Sequence, residues 1–224
     1  MRRFAIITAG GSGTRMGAAL PKQFLELQGL PILMHTINVF HRFDASMKLI
    51  VTLPREHQIL WIELTQKYKF TTPHLMLAGG ATRFDSVKNA LKNIGGDGVV
   101  GIHDGVRPLV SHETLTRCYQ TAEEKGNALP VMDVVESLRK IDNETSMAVN
   151  RAAYKSVQTP QVFNLEMIKS AYNQPFQDSF TDDATVAESQ GEIINLVEGN
   201  PENIKITTSI DLEIADFLWK KIYG

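Results

Sequence analysis

Cysteine is all but missing from the 224-residue chain. Cys118 stands alone, which excludes an internal disulfide and a thiolate metal cluster and leaves a buried small residue in a helix as its expected role. Neither sign of charge is in excess: 23 Lys and Arg against 25 Asp and Glu give a formal net charge of -2. That balance supplies no electrostatic basis for nucleic acid or an anionic membrane as partner, so any cation that meets a ligand must act locally. Long apolar runs are lacking too. No stretch could span a bilayer, and the run after Arg2-Arg3 breaks at glycine before it reaches signal-peptide length. A cytoplasmic protein is expected, in which the glycosylation-like Asn143-Glu144-Thr145 has no consequence. What remains is ordinary globular composition, 43% hydrophobic and 21% charged, in a chain long enough for a single domain over residues 1–224 whose core needs no covalent staples.

Glycine is concentrated where it carries information. Phe4-Ala5-Ile6-Ile7-Thr8 reads as a buried strand, and it runs into Ala9-Gly10-Gly11-Ser12-Gly13-Thr14-Arg15-Met16-Gly17, followed by Pro21-Lys22-Gln23. Bare successive amides make an anion-seeking nest. Arg15 and Lys22 add full positive charge beside it, a combination suited to a triphosphate whose phosphorus gains negative charge during transfer. Neither common phosphate loop fits. The third glycine of a dinucleotide fingerprint comes one residue late at Gly17, and the lysine of a Walker loop is displaced to position 22. The alternative is a βα turn without a ligand.

Further along, apolar runs and helical spacings alternate. Strands are expected at 48–53, 74–77, 99–103 and 128–132. Helices are expected from Pro31 to Phe40, from Glu56 to Tyr68, from Ser111 to Lys125 and from Leu165 to Tyr172, with a last one from Ser209 through Ile222. Trp61 reads as packing. Ala78-Gly79-Gly80-Ala81-Thr82-Arg83-Phe84-Asp85-Ser86 is a second strand-to-glycine-to-helix passage. It suits either a capped helix after a turn or a rim of amides and one hydroxyl that reads a pyrimidine. Asp104 in His103-Asp104-Gly105-Val106-Arg107-Pro108 ends a buried strand, as a turn or cap residue or as a hard oxygen ligand for Mg²⁺ against phosphate oxygens. Residues 133–151 read as a β-hairpin with a turn at Asp142-Asn143-Glu144-Thr145; a lone hairpin is marginal in water, so it should pack on a partner. Thr181-Asp182-Asp183-Ala184 has the makings of a helix N-terminus. Asn203–Thr207 reads as a short strand on which Lys205 faces away from its flanking isoleucines, an arrangement also usual for an edge lysine in water. The alternation implies a three-layer α/β, Rossmann-like fold with a mainly parallel sheet, ligand loops at its carboxyl edge and one protruding β-arm.

Taken in order, Gly-Ser-Gly-Thr-Arg, Pro-Lys-Gln, Gly-Gly-x-x-Arg-x-x-Ser, His-Asp-x-x-Arg-Pro, Gln-Thr-Pro-Gln, Thr-Asp-Asp and Asn-Ile-Lys span the chain. The set resembles the cytidylyltransferases, nucleotidyltransferases that join CTP to a polyol phosphate and release pyrophosphate. That resemblance implies Arg15, Lys22 and Lys205 at the reacting phosphate and Mg²⁺ on Asp104. It implies that Ala9, Gly10, Gly11, Ser12, Gly13 and Thr14 hold the nucleotide and that Gly79, Gly80, Arg83 and Ser86 border its cytosine. Arg107, Arg151 and Thr181 would serve the acceptor, together with Ser137 or, in its place, Asp133. The arm would cross to a second subunit of a homodimer. Asn150-Arg151 and Thr181-Asp182-Asp183-Ala184 are nearer to the methylerythritol-phosphate branch than to the ribitol-5-phosphate branch; a non-catalytic nucleotide sensor is the reading of another class.

Overall fold

The computed structural model describes residues 1–10 and 20–224. The run Phe4–Ile7 forms strand β1 (Arg3–Thr8), buried on both faces, as the middle of a parallel sheet requires. A small antiparallel ribbon follows, β2 (Glu26–Leu27) with β3 (Leu30–Pro31), turned at Gln28 and Gly29, whose φ angles of 48° and 78° are left-handed. Helix α1 (Ile32–Phe43) then starts one residue later than expected: Pro31 closes β3 and occupies the N-cap position. Next come β4 (Lys48–Leu53), α2 (Arg55–Lys67), β5 (Leu75–Ala78), α3 (Arg83–Leu91), β6 (Val99–Asp104), α4 (His112–Lys125) and β7 (Asn127–Asp133). The expected hairpin is β8 (Arg139–Asp142) with β9 (Thr145–Ala148), its turn set by Asn143 at φ 51°. The chain ends with β10 (Lys155–Val157), β11 (Gln161–Asn164), α5 (Leu165–Ala171), α6 (Asp183–Glu188), β12 (Leu196–Glu198) and α7 (Ser209–Tyr223).

The main sheet runs β10-β7-β11-β6-β1-β4-β5, with β12 also on β7. Strands β6, β1, β4 and β5 pair in parallel, whereas β11 is inserted antiparallel between β6 and β7. Peptide alternation divides each central strand between two cores. Ala5, Ile7, Val51 and Leu53 join α1 and α4 through Leu33, Phe40, Leu115 and Tyr119. Phe4, Ile6, Ile50 and Ile102 join α3, α5 and α6 through Phe84, Val87, Ile168 and Val186. This is the three-layer arrangement expected. Cys118 lies buried in the first core, and Trp61 stacks on Phe24 at 6.0 Å. Residues 203–207 depart from expectation: they belong to no strand and are held by a bond from Ile206 N to the carbonyl of Val106 (3.0 Å). Among the described residues no helix is long and apolar enough to cross a membrane.

Two buried polar groups bind distant elements. Arg83, the first residue of α3, donates twice to Asp183 at the start of α6 (2.9 and 2.6 Å), and Tyr172 Oη donates to the same carboxylate at 2.6 Å. Asp183 is fully buried, and Phe84 stacks on Tyr172 and on Phe180. His103, also fully buried, lies edge-on to Phe40 at 4.9 Å, and burial pushes its pKa down to about 4.

Breaking a buried pair strands the other charge, so Asp183→Asn should cost about 3–5 kcal/mol, and Arg83→Met with Asp183→Leu clearly less; urea denaturation reads both. His103 gives a pH dependence of fixed sign. The unfolded ring takes a proton near pH 6.5 and the folded ring only near pH 4, so between these values the unfolded state binds more protons and stability falls as pH is lowered. About 3 kcal/mol should be lost across that window, and the loss should shrink by that amount in His103→Gln.

Candidate active site

The parallel strands β1, β4, β5 and β6 end at one rim, where such sheets bind ligands. A cavity of about 280 Å³ lies there. Thr8, Ala9 and Gly10 enter it from β1, Gly79 to Arg83 and Ser86 from the passage between β5 and α3, Asp104 and Val106 from the end of β6, Lys22 and Gln23 from one further segment and Lys205 from another. Lys22 and Lys205, 183 positions apart in the chain, thus face the same space. Lys22 is brought there by a tight turn, Lys22–Phe24, whose other members are anchored: Gln23 donates to Ala9 O at 2.9 Å and Phe24 is buried against Trp61.

The glycine passage is a turn into a capped helix, and it lines the cavity as well. Thr82 caps α3, exchanging hydrogen bonds with Asp85 in a full capping box, a role for Asp85 that went unnoticed in the sequence. Gly79 N continues the β4 edge to Leu53 O (2.8 Å), and Gly80 N donates to Ser86 Oγ (3.0 Å), which itself donates to Thr82 O. A Cβ at Gly80 would fall 2.2 Å from that of Asp85, so only glycine lets the loop lie against the helix start.

Asp104 is the electrostatic centre. Lys205 Nζ lies 3.1 Å from its Oδ2, Arg107 Nε 3.2 Å from the same oxygen, and Arg83 Nε 4.0 Å from Oδ1. Burial works to raise the pKa of this carboxyl, but Lys205, Arg83 and Arg107 outweigh it and hold the group well below the usual carboxylate range. The cations differ in freedom. Arg83 is clamped by Asp183, and Arg107, only 13% exposed, also donates to Asn203 O at 2.7 Å. Lys205 is 43% exposed, the cation of the three best placed to meet a ligand.

The other expected site residues fall into two groups. Gly11, Ser12, Gly13, Thr14 and Arg15 lie outside the described residues, and the rest are described but do not line this cavity. Arg107 stands behind the cavity as a support for Asp104. Ser137 and Arg151 are exposed on and beside the arm, where Arg151 donates to Val135 O. Asp133, the other candidate there, is paired with Lys155. Thr181 lines a neighbouring cavity of about 160 Å³ that shares Thr82 and Arg83 with the first. Sequence reasoning missed Asp183 as the partner of Arg83; the doubled acid of Thr-Asp-Asp was its visible trace, since Asp182 alone serves as the cap.

Among the described residues no three or more His, Cys, Asp and Glu side chains cluster as a metal cage. A lone carboxylate kept ionised at the cavity wall does fit Mg²⁺, which holds most of its water and is bound by one or two carboxylates together with substrate phosphates.

The model of a protein family described as 2-C-methyl-D-erythritol 4-phosphate cytidylyltransferase matches residues 4–221. Proteins of that name from Bacteroides fragilis and Bacillus mycoides are similar to this chain. The first is 53% identical over 97% of this chain and 100% of its own length, the second 37% identical over 94% and 95%. The crystal structure of the Thermus thermophilus protein of that name superposes with a TM-score of 0.78 at 29% identity, covering 98% of this chain and 100% of that one. A 4-diphosphocytidyl-2C-methyl-D-erythritol synthase from Anaerococcus prevotii gives 0.83 at 26% identity over 98% and 96%. By sequence and by fold, the chain belongs to the 2-C-methyl-D-erythritol 4-phosphate cytidylyltransferase family.

Proposed function

We infer that the protein transfers the cytidylyl group of CTP to 2-C-methyl-D-erythritol 4-phosphate, giving 4-diphosphocytidyl-2-C-methyl-D-erythritol and pyrophosphate in non-mevalonate isoprenoid precursor synthesis. Membership of the family supports the reaction, and the convergence of Lys22, Asp104 and Lys205 on one cavity is the observation that carries it. An oxygen of the acceptor's phosphate attacks the α-phosphorus of CTP; one P–O bond forms and the bond to the bridging oxygen breaks, releasing pyrophosphate. With a second pKa of about 6 the attacking phosphate is already dianionic at neutral pH, so it requires no general base. The work left to the protein is positioning and charge neutralisation. Lys22 and Lys205, with Arg15, supply positive charge to the reacting phosphate and the leaving group, while the passage at Gly79, Gly80 and Ser86 borders the base. Asp104 would hold Mg²⁺, which when bound offsets charge on the phosphate oxygens.

A homodimer built through the arm is part of the same proposal. Val135, Ile141, Met147, Tyr154 and Val157 expose between 42% and 77% of their surface, apolar area that association would remove from water. Ser137 and Arg151 do not line the cavity of their own chain, which accords with service to a partner's. A cytoplasmic location accords with the lone, buried Cys118.

Lys22→Ala and Lys205→Ala should each lower kcat by about 100-fold or more with an unchanged melting temperature, followed as pyrophosphate release from CTP and the methylerythritol phosphate. Near-normal turnover in both would overturn the assignment, and faster turnover of ribitol 5-phosphate in competition would move the acceptor. Light scattering should give a dimer mass for the whole chain and a monomer mass once residues 137–149 are replaced by a short glycine linker.

A further inference from the structure

The segment from Asp104 to Arg107 carries two of the charged groups at the site, and both of its ends are held by one imidazole. His103 Nε2 lies 3.0 Å from the carbonyl oxygen of Arg107, and His103 Nδ1 lies 3.0 Å from Thr159 Oγ1. Asp104 N donates to that same hydroxyl oxygen at 3.1 Å. In the neutral ring the direction of these bonds follows from the partners: a carbonyl oxygen only accepts, so Nε2 carries the proton, Nδ1 accepts, and the threonine hydroxyl donates to it. The hydroxyl oxygen keeps a lone pair for Asp104 N–H. The ring is wholly buried and has no contact with the cavity.

The clamp reaches the third cation as well. Asn203 Nδ2 donates to Thr159 O at 2.8 Å and Asn203 O accepts from Arg107 Nη1 at 2.7 Å, two residues before Lys205. Thr159 and Asn203 thus tie the segment before β11 and the segment carrying Lys205 to the loop whose ends the imidazole holds.

We propose that His103 is a positioning residue, a neutral clamp in the Nε2–H tautomer that acts through Thr159 and the Arg107 carbonyl to hold Asp104 and Arg107 in register with Lys205 for transfer. The proposal rests on the reaction inferred above. Its expected signature is a loss of turnover with little loss of nucleotide binding, because displacement of about 1 Å costs roughly 100-fold in rate while the groups that bind CTP remain.

His103→Phe keeps ring volume but neither bond; it should bind CTP in calorimetry within about threefold of wild type and lower kcat about 10-fold to 100-fold. Thr159→Val, which leaves the imidazole in place and decides the matter if His103→Phe does not fold, should show a similar loss, and Thr159→Ser should restore turnover. Combined, His103→Phe and Thr159→Val should be no worse than the more damaging single change. Wild-type kcat in either folded variant, or losses that multiply in the pair, would overturn the clamp. Nitrogen-15 NMR of labelled histidine should find this imidazole protonated on Nε2 and protected from exchange. A proton on Nδ1 would overturn the clamp whether or not the wild-type protein turns over, whereas absence of wild-type turnover bears on the reaction alone.

Discussion

One carboxylate makes the arrangement of this protein's rim tenable. Arg83, Arg107 and Lys205 approach Asp104 to between 3.1 and 4.0 Å, and opposite charges at 4 Å and an effective dielectric of 20 attract by about 4 kcal/mol per pair, which offsets the repulsion among the cations. The three arrive from the start of α3, the turn after β6 and an irregular segment before α7, so the counter-ion at their centre lets unrelated parts of the chain end in one place. Asp104 can be that counter-ion because it is the last residue of a strand in the middle of a parallel sheet. Its neighbour Gly105 also matters, since a Cβ there would lie 3.1 Å from Thr8 O and from Leu33 Cδ1; the chain turns off the strand only by passing close to β1.

The layers beneath the rim follow from simple chemistry. The strands β1, β4 and β6 were legible as apolar runs because both of their faces are buried, and the alternation that divides them between two cores needs no information beyond the period of a strand. The same logic misread residues 203–207. Isoleucines on either side of Lys205 alternate as in a strand, yet only one backbone bond, from Ile206, ties the segment to the 104–107 loop; alternation reports an extended chain, and a ladder partner is a separate fact that sequence does not carry. The antiparallel insertion of β11 was hidden for the same reason.

Charge pairing over long sequence separations was the least legible feature. Asp104 stood out because an acid at the end of an apolar strand has few uses, and Lys22 because it follows Pro21 just beyond the glycine-rich run. Nothing near Arg83 announces Asp183, 100 residues on; the doubled acid after Thr181 is one carboxylate more than the cap needs, but it does not name its partner. Nor does the sequence around His103 show that its ring would be shared between Thr159 and Arg107. Such pairs are decided by packing: once Asp183 is fully buried beside Tyr172, its charge needs a partner in the interior, and α3 presents one in Arg83.

The pairing has a consequence for how the site can respond to an anionic ligand. Arg83 cannot leave Asp104 without also straining its two bonds to Asp183, and Arg107 is retained by Asn203 O. Among the described residues Lys205 meets no other anion than Asp104, and it is the most exposed of the three cations. Of the three cations around Asp104, Lys205 is therefore the one whose release sacrifices a single ion pair and no buried network. The two arginines are fixed by second partners and, among the described residues, the lysine is not, a difference that follows from how many partners each has.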